Sequence, residues 1–160
     1  MHFVALVVAA ALLSQQAPSQ PDVTGTWRMD PGRSGSPGQS VPVTKMTLVI
    51  VQTATEVRIE SVSGAEPPIV STYQMGARPN QPGELLGADT KLAYWDGNQL
   101  ILERGGTISG QTVSMKQTLA LDPARNELVL ERLVIVQHGY SLRGAKNYAT
   151  VKDVFTRAGS

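Results

Sequence analysis

The sequence predicts an all-β protein: an antiparallel up-and-down meander closed into a barrel of roughly 8–10 strands. Three observations predict it. From Pro21 onward the apolar residues either alternate with polar ones or form short β-branched runs, and no stretch keeps a helical period. Many of the links between these runs are short, as at Ala54-Thr55, Asp96-Gly97 and Asp122–Asn126, and short links make consecutive strands antiparallel neighbours. A row of about nine such strands exposes two edges unless the sheet closes on itself. A two-sheet sandwich is the alternative that the same pattern allows.

The elements follow in order. Val23–Met29 is a short strand carrying Trp27. Asp30–Val43 holds three prolines and three glycines, so it is neither helix nor strand. Thr44–Thr53 (TKMTLVIVQT) is apolar on both faces, with Met46, Leu48 and Ile50 on one and Val49 and Val51 on the other. A barrel wall is expected to be wetter outside, so a loop or a second subunit should cover this strand, and a homodimer through Thr44–Thr53 is one expectation. Glu56–Ser63 alternates, and Ile69–Met75 follows. Gly76–Thr90 is a second long loop, in which Glu84–Leu86 reads as a short strand or lid. Lys91–Trp95 and Asn98–Arg104 flank Asp96-Gly97, which suits a two-residue type I′ turn. Thr112–Leu121, Glu127–Gln137 and Asn147–Arg157 complete the set.

Before these strands, Phe3–Leu13 is an unbroken apolar run. It is shorter than the roughly 20 residues that span a bilayer and fits the core of a secretory signal peptide. Ala17-Pro18-Ser19 supplies small residues ahead of a cut before Gln20, so 1–19 is read as a signal peptide and 20–160 as one exported domain, periplasmic or secreted. The chain has no cysteine, which excludes disulfides, thiolate chemistry and a lipid-bearing anchor. The net charge is +1 with both signs interspersed, so there is no basic stripe for nucleic acid and no polybasic segment for anionic lipid.

Catalytic constellations are sparse. Of two histidines, His2 leaves with the signal and His138 sits beside Gly139 at a strand end, a solvated turn position with no second histidine to help it hold a metal. No serine occupies a Gly-x-Ser-x-Gly elbow, and neither Ser34-Gly35-Ser36 nor Gly105-Gly106 opens a phosphate-binding helix. The expectation is a non-enzymatic protein with no cofactor and no metal.

The informative charge is Arg132, which shares a strand face with Leu128, Leu130, Val134 and Val136, while the opposite face carries Glu131 among apolar residues. Facing a lumen, Arg132 suits a carboxylate head group; facing outward, it covers apolar surface or pairs with a neighbour. Tyr73 and Tyr94 are further candidates to line a cavity. Tyr94 and Trp95 are successive, so only one of them faces inward.

Gly25-Thr26-Trp27 on a first short strand, then a long loop and a β meander, resembles the lipocalin and fatty-acid-binding superfamily. In that superfamily the Gly-x-Trp tryptophan closes one barrel end and a basic residue of the last strand packs across its ring. The resemblance assigns barrel closure to Gly25, Trp27 and Arg157. A nearer likeness is to small secreted bacterial lipocalin-like proteins of uncharacterised function. It is carried by Gly25-Thr26-Trp27 with Asp30 and Ser34, Trp95-Asp96-Gly97 with Leu100 and Glu103, and Val154-Phe155-Thr156-Arg157. The barrel reading leads to the expectation of non-covalent binding of a small apolar or amphipathic molecule in the lumen, with Arg132, Tyr73 and Tyr94 as candidate contacts and the Asp30–Val43 loop at the open end. The alternative is a cell-envelope interaction protein with a filled barrel.

Overall fold

The structure is a computed structural model that describes residues 20–35, 45–78, 89–108, 111–137 and 147–159. The signal segment 1–19, residues 36–44 of the first long loop, the Glu84–Leu86 segment and His138 lie outside the described residues.

Among the described residues nine strands form: β1 (Gly25–Met29), β2 (Met46–Gln52), β3 (Glu56–Ser63), β4 (Ile69–Met75), β5 (Lys91–Asp96), β6 (Gln99–Ile108), β7 (Gln111–Asp122), β8 (Glu127–Gln137) and β9 (Asn147–Arg157). They make one closed barrel in chain order, and β1 returns to pair with β9. Closure, not a sandwich, disposes of the edges.

Nine is an odd number, and strict alternation of direction around a closed ring needs an even one. One neighbouring pair must therefore run parallel. It is β4 and β5, joined by only two register partners, Gln74 with Leu92 and Met75 with Ala93. A parallel pair needs a connection long enough to return along the barrel, and the link 76–90 has that length. The all-antiparallel expectation is corrected at this one seam. Every other neighbouring pair is antiparallel.

The turns follow local chemistry. In the β2–β3 turn Thr53 Oγ1 accepts hydrogen bonds from the Thr55 and Glu56 amides. In the β7–β8 turn Asp122 Oδ1 accepts from Ala124 and Arg125, and Asn126 takes the positive φ of 56°. The β5–β6 hairpin differs from expectation. Asp96 pairs with Gln99, so the turn residues are Gly97 and Asn98. Only Gly97 has a positive φ, 62°, which is the type II′ pattern with glycine first.

Strand alternation sorts the side chains. At one end Trp27, Ile50, Val57, Leu100, Leu128 and Phe155 converge with almost no exposure and pack this half solid. Trp27 is held there on every side. Its indole Nε1 donates to the Val23 carbonyl at 3.0 Å, and the Arg157 guanidinium lies 4.3 Å from its ring centroid. Arg157 also donates to the Thr24 carbonyl at 2.8 Å, which ties the last strand to the segment entering the first. A Cβ at Gly25 would lie 2.6 Å from Arg157 Nη1, and the φ there is +149°, so a side chain at this position must displace the guanidinium and strain the backbone. A guanidinium over an indole contributes about 0.5–2 kcal/mol. It also fixes which face of β9 looks inward.

The outer wall is covered unevenly. Residues 30–35 run along β9, with the Asp30 amide donating to the Val154 carbonyl at 2.8 Å, and Val154 is buried. Arg33 joins Asp30 to Glu127 on this surface. On β2 and β4, Val51 and Val70 stay 43% and 47% exposed.

Candidate functional site

The other half of the barrel is hollow. A cavity of about 230 Å³ opens between two unlike walls. Strands β2–β4 contribute Met46, Leu48, Ile59 and Ile69, together with the hydroxyls of Ser61, Ser71 and Tyr73. Ile69 is inward-facing by alternation yet 65% exposed, so it marks the mouth. Strands β6–β8 contribute Arg104, Met115, Gln117, Leu119, Leu130 and Arg132.

The polar groups on the second wall sit at successive depths because adjacent inward positions are two residues apart. Arg104 pairs in register with Met115. One step deeper, Leu102, Gln117 and Arg132 are aligned across β6, β7 and β8. One step deeper again come Leu100, Leu119 and Leu130, and beside Leu130 on β9 lies Asp153.

Arg132 faces the lumen and is ion-paired. Its guanidinium donates to the Asp153 carboxylate, which is 1% exposed. The sequence left open whether Arg132 points inward or pairs with a neighbour, and it does both. Pairing settles an energetic problem, since a buried carboxylate without a partner costs several kcal/mol. Arg104, by contrast, is exposed at the mouth and makes no ion pair among the described residues. Its positive charge reaches Tyr73. Burial pushes the Tyr73 phenol above its ordinary value, while the Arg104 charge and a hydrogen bond with Ser71 pull it partly back.

Of the three candidate contacts, the structure brings Arg132 and Tyr73 together in the cavity and leaves Tyr94 out. Tyr94 faces away from the lumen and donates to Glu103 Oε1 at 2.7 Å. Burial and then the Glu103 carboxylate raise its phenol far above the usual tyrosine range. The inward-facing member of the pair is Trp95, which packs against the core with its Nε1 buried and unpartnered among the described residues.

Arg104 and Asp153 were missed by the sequence reading, and signals for both were present. Arg104 shares its face with Leu100 and Leu102. Asp153 shares its face with Phe155 and Arg157, so placing Arg157 on Trp27 turns Asp153 inward as well. Among the described residues no three His, Asp or Glu side chains are grouped to hold a metal ion.

No family model matches the chain, and no curated protein matches it either. Solved structures do. The fluorescent protein UnaG, in a mutant form, is 14% identical, with a TM-score of 0.51 over 86% of this chain and 97% of that one. A zebrafish ileal bile acid-binding protein complexed with cholic acid is 10% identical, with a TM-score of 0.43 over 84% of this chain and 98% of that one. Fatty-acid-binding protein 1 of Echinococcus granulosus is 11% identical, with a TM-score of 0.42 over 86% and 98%. At these identities a likeness bears on the fold alone, and the UnaG match agrees with the closed all-β barrel described above.

Proposed function

We propose that the protein binds a small apolar or amphipathic molecule non-covalently in the open half of the barrel, without catalysing a reaction on it. The observation that carries this reading is the half-filled lumen: solid at the Trp27 end, hollow and mainly apolar at the other, with hydroxyls on the β3–β4 wall and the charged groups on the β6–β8 wall. A ligand's apolar part gains about 25 cal/mol per Å² buried before binding costs, and the polar groups set its orientation. The similar bile acid-binding and fatty-acid-binding structures agree with this class of ligand. With 1–19 read as a signal peptide, binding takes place outside the cytoplasm, in the periplasm or beyond the cell, and N-terminal sequencing of the native protein tests that placement. Native mass spectrometry of protein purified from its host compartment tests the binding. The expected result is a reproducible added small-molecule mass and a shifted emission of an apolar fluorescent probe that the ligand displaces. Apo mass in every preparation, with no probe response, overturns the reading.

A second reading concerns the outer wall. Val49 and Val51 on β2 and Val70 on β4 flank Arg58 and Glu60 on β3, which form an ion pair at 3.0 Å. A two-fold copy can set Arg58 against Glu60 and Glu60 against Arg58, so this face is self-complementary. We propose it as the homodimer surface expected of the Thr44–Thr53 strand. Sedimentation equilibrium should show a dimer that Val51→Lys dissociates. A monomer at all concentrations removes this reading.

A further inference from the structure

Among the described residues, Arg104, Arg132 and Asp153 place three charges at three depths along the β6–β9 side of the barrel interior, and only two of them cancel. Arg132 and Asp153 neutralise each other in the interior, and Arg104 stands one inward step nearer the mouth with no ion pair among the described residues. We propose that the cavity selects a compact amphiphile with a single negative charge and takes it tail first, its anionic group held by Arg104 at the rim and kept off the floor by Asp153. This rests on the binding reading above and names its ligand class.

An anion at Arg104 stays partly hydrated, because Arg104 is exposed, so the contact forms without full desolvation. An anion drawn deeper to Arg132 meets a cation already satisfied, with the buried Asp153 carboxylate beside it, and like charges at that depth repel with little screening. The floor itself, formed by Leu119 and Leu130 against Leu48, suits an alkyl tail. A volume of about 230 Å³ is below the roughly 300–1,000 Å³ of drug-sized sites, which favours a short chain. Asp153 is then a specificity-determining residue, acting through charge on the far end of the ligand.

Isothermal titration calorimetry with three probes of equal chain length separates the possibilities: octanoate, octan-1-ol and octanedioate. Octanoate should bind about 10-fold tighter than octanol, a ratio corresponding to about 1.4 kcal/mol. Octanedioate, which places its second carboxylate at the floor, should bind at least about 10-fold weaker than octanoate. Arg104→Met should bring octanoate down to the octanol level and leave octanol unchanged. Asp153→Asn keeps an oxygen for Arg132 and leaves that cation uncompensated, so it should restore octanedioate binding. Circular dichroism and thermal melting check that both variants are folded. If wild type binds none of the three while the apolar fluorescent probe still enters the cavity, binding stands and this ligand class is wrong; if the probe is silent too, the binding reading falls with it. If octanol binds as tightly as octanoate, or octanedioate as tightly as either, binding stands and the charge selection is wrong. An Arg104→Met variant with unchanged octanoate affinity likewise overturns it.

Discussion

The two halves of this barrel are built from the same nine strands and solve opposite problems. At the Trp27 end each inward position meets another large apolar side chain, and segment 23–24 ties across it through the Val23 carbonyl, the Thr24 carbonyl and Arg157. Toward the mouth the inward positions on β2–β4 shrink to Ser61 and Ser71, while those on β6–β8 become polar at Gln117, Arg132 and Arg104. Stability is concentrated in the filled half, which leaves the other half able to stay hollow and carry charge. Without disulfides, the packed half and the closed hydrogen-bonded ring of strands are what hold the cavity open.

Emptying the filled half should remove the anchor on which the hollow half depends. Trp27 is fully buried, and Trp27→Ala should destabilise the protein by about 3–5 kcal/mol. Urea denaturation followed by circular dichroism measures this. A loss under about 1 kcal/mol shows that the Trp27 end is not where the fold is anchored.

The Arg132–Asp153 pair sits at the boundary between the halves. Asp153→Leu alone leaves a partly buried guanidinium unpaired and should cost about 3–5 kcal/mol. The double change Arg132→Met with Asp153→Leu should recover most of that loss, since a packed apolar pair avoids desolvating either charge. Equal losses in single and double variants would show that the ion pair itself stabilises the fold, beyond the relief of an unpaired charge.

Backbone positions come next. Gly25→Ala forces a Cβ against Arg157 Nη1 at an unfavourable φ and should cost about 1–3 kcal/mol. Gly97→Ala meets nothing within 4 Å and suffers only from its φ of +62°, so about 1 kcal/mol is expected. The difference between the two, read from denaturation midpoints, isolates the steric contribution of barrel closure.

Much of this architecture was legible in the chain. All nine strands were anticipated, with bounds shifted mostly by a residue or two, because β-branched alternation and Thr, Asp and Gly turn chemistry act locally. The longest extension is at β6, which runs on through Gly105, Gly106 and Thr107 to Ile108, where glycines hide the pairing with β7. What could not be read locally was ring arithmetic: the parallel β4–β5 seam follows from the strand count, not from any residue in either strand. The Gly97-Asn98 turn was displaced by one residue because register is decided by the Leu100 and Leu102 face seeking the core. In the cavity, Arg132 and Tyr73 were visible as polar residues among apolar ones. Tyr94 was misassigned because alternation gives the parity of a pair without its sign, and the sign came from Ala93 and Trp95 packing inward.

The smallest expected effect tests the hollow half directly. The sequence has four tyrosines, and burial raises the phenols of Tyr73 and Tyr94. A phenol whose folded value is raised contributes stability that is fully present below about pH 10 and is lost as pH rises through the raised value. Ultraviolet titration of a Tyr94→Phe variant should therefore show Tyr73 ionising later than a free tyrosine. Burial is the larger influence, and the Arg104 cation opposes it. Removing that cation with Arg104→Met should move the Tyr73 transition to still higher pH without altering the stability at neutral pH. An unmoved transition would mean that Arg104 does not project its charge across the cavity mouth toward the β4 wall.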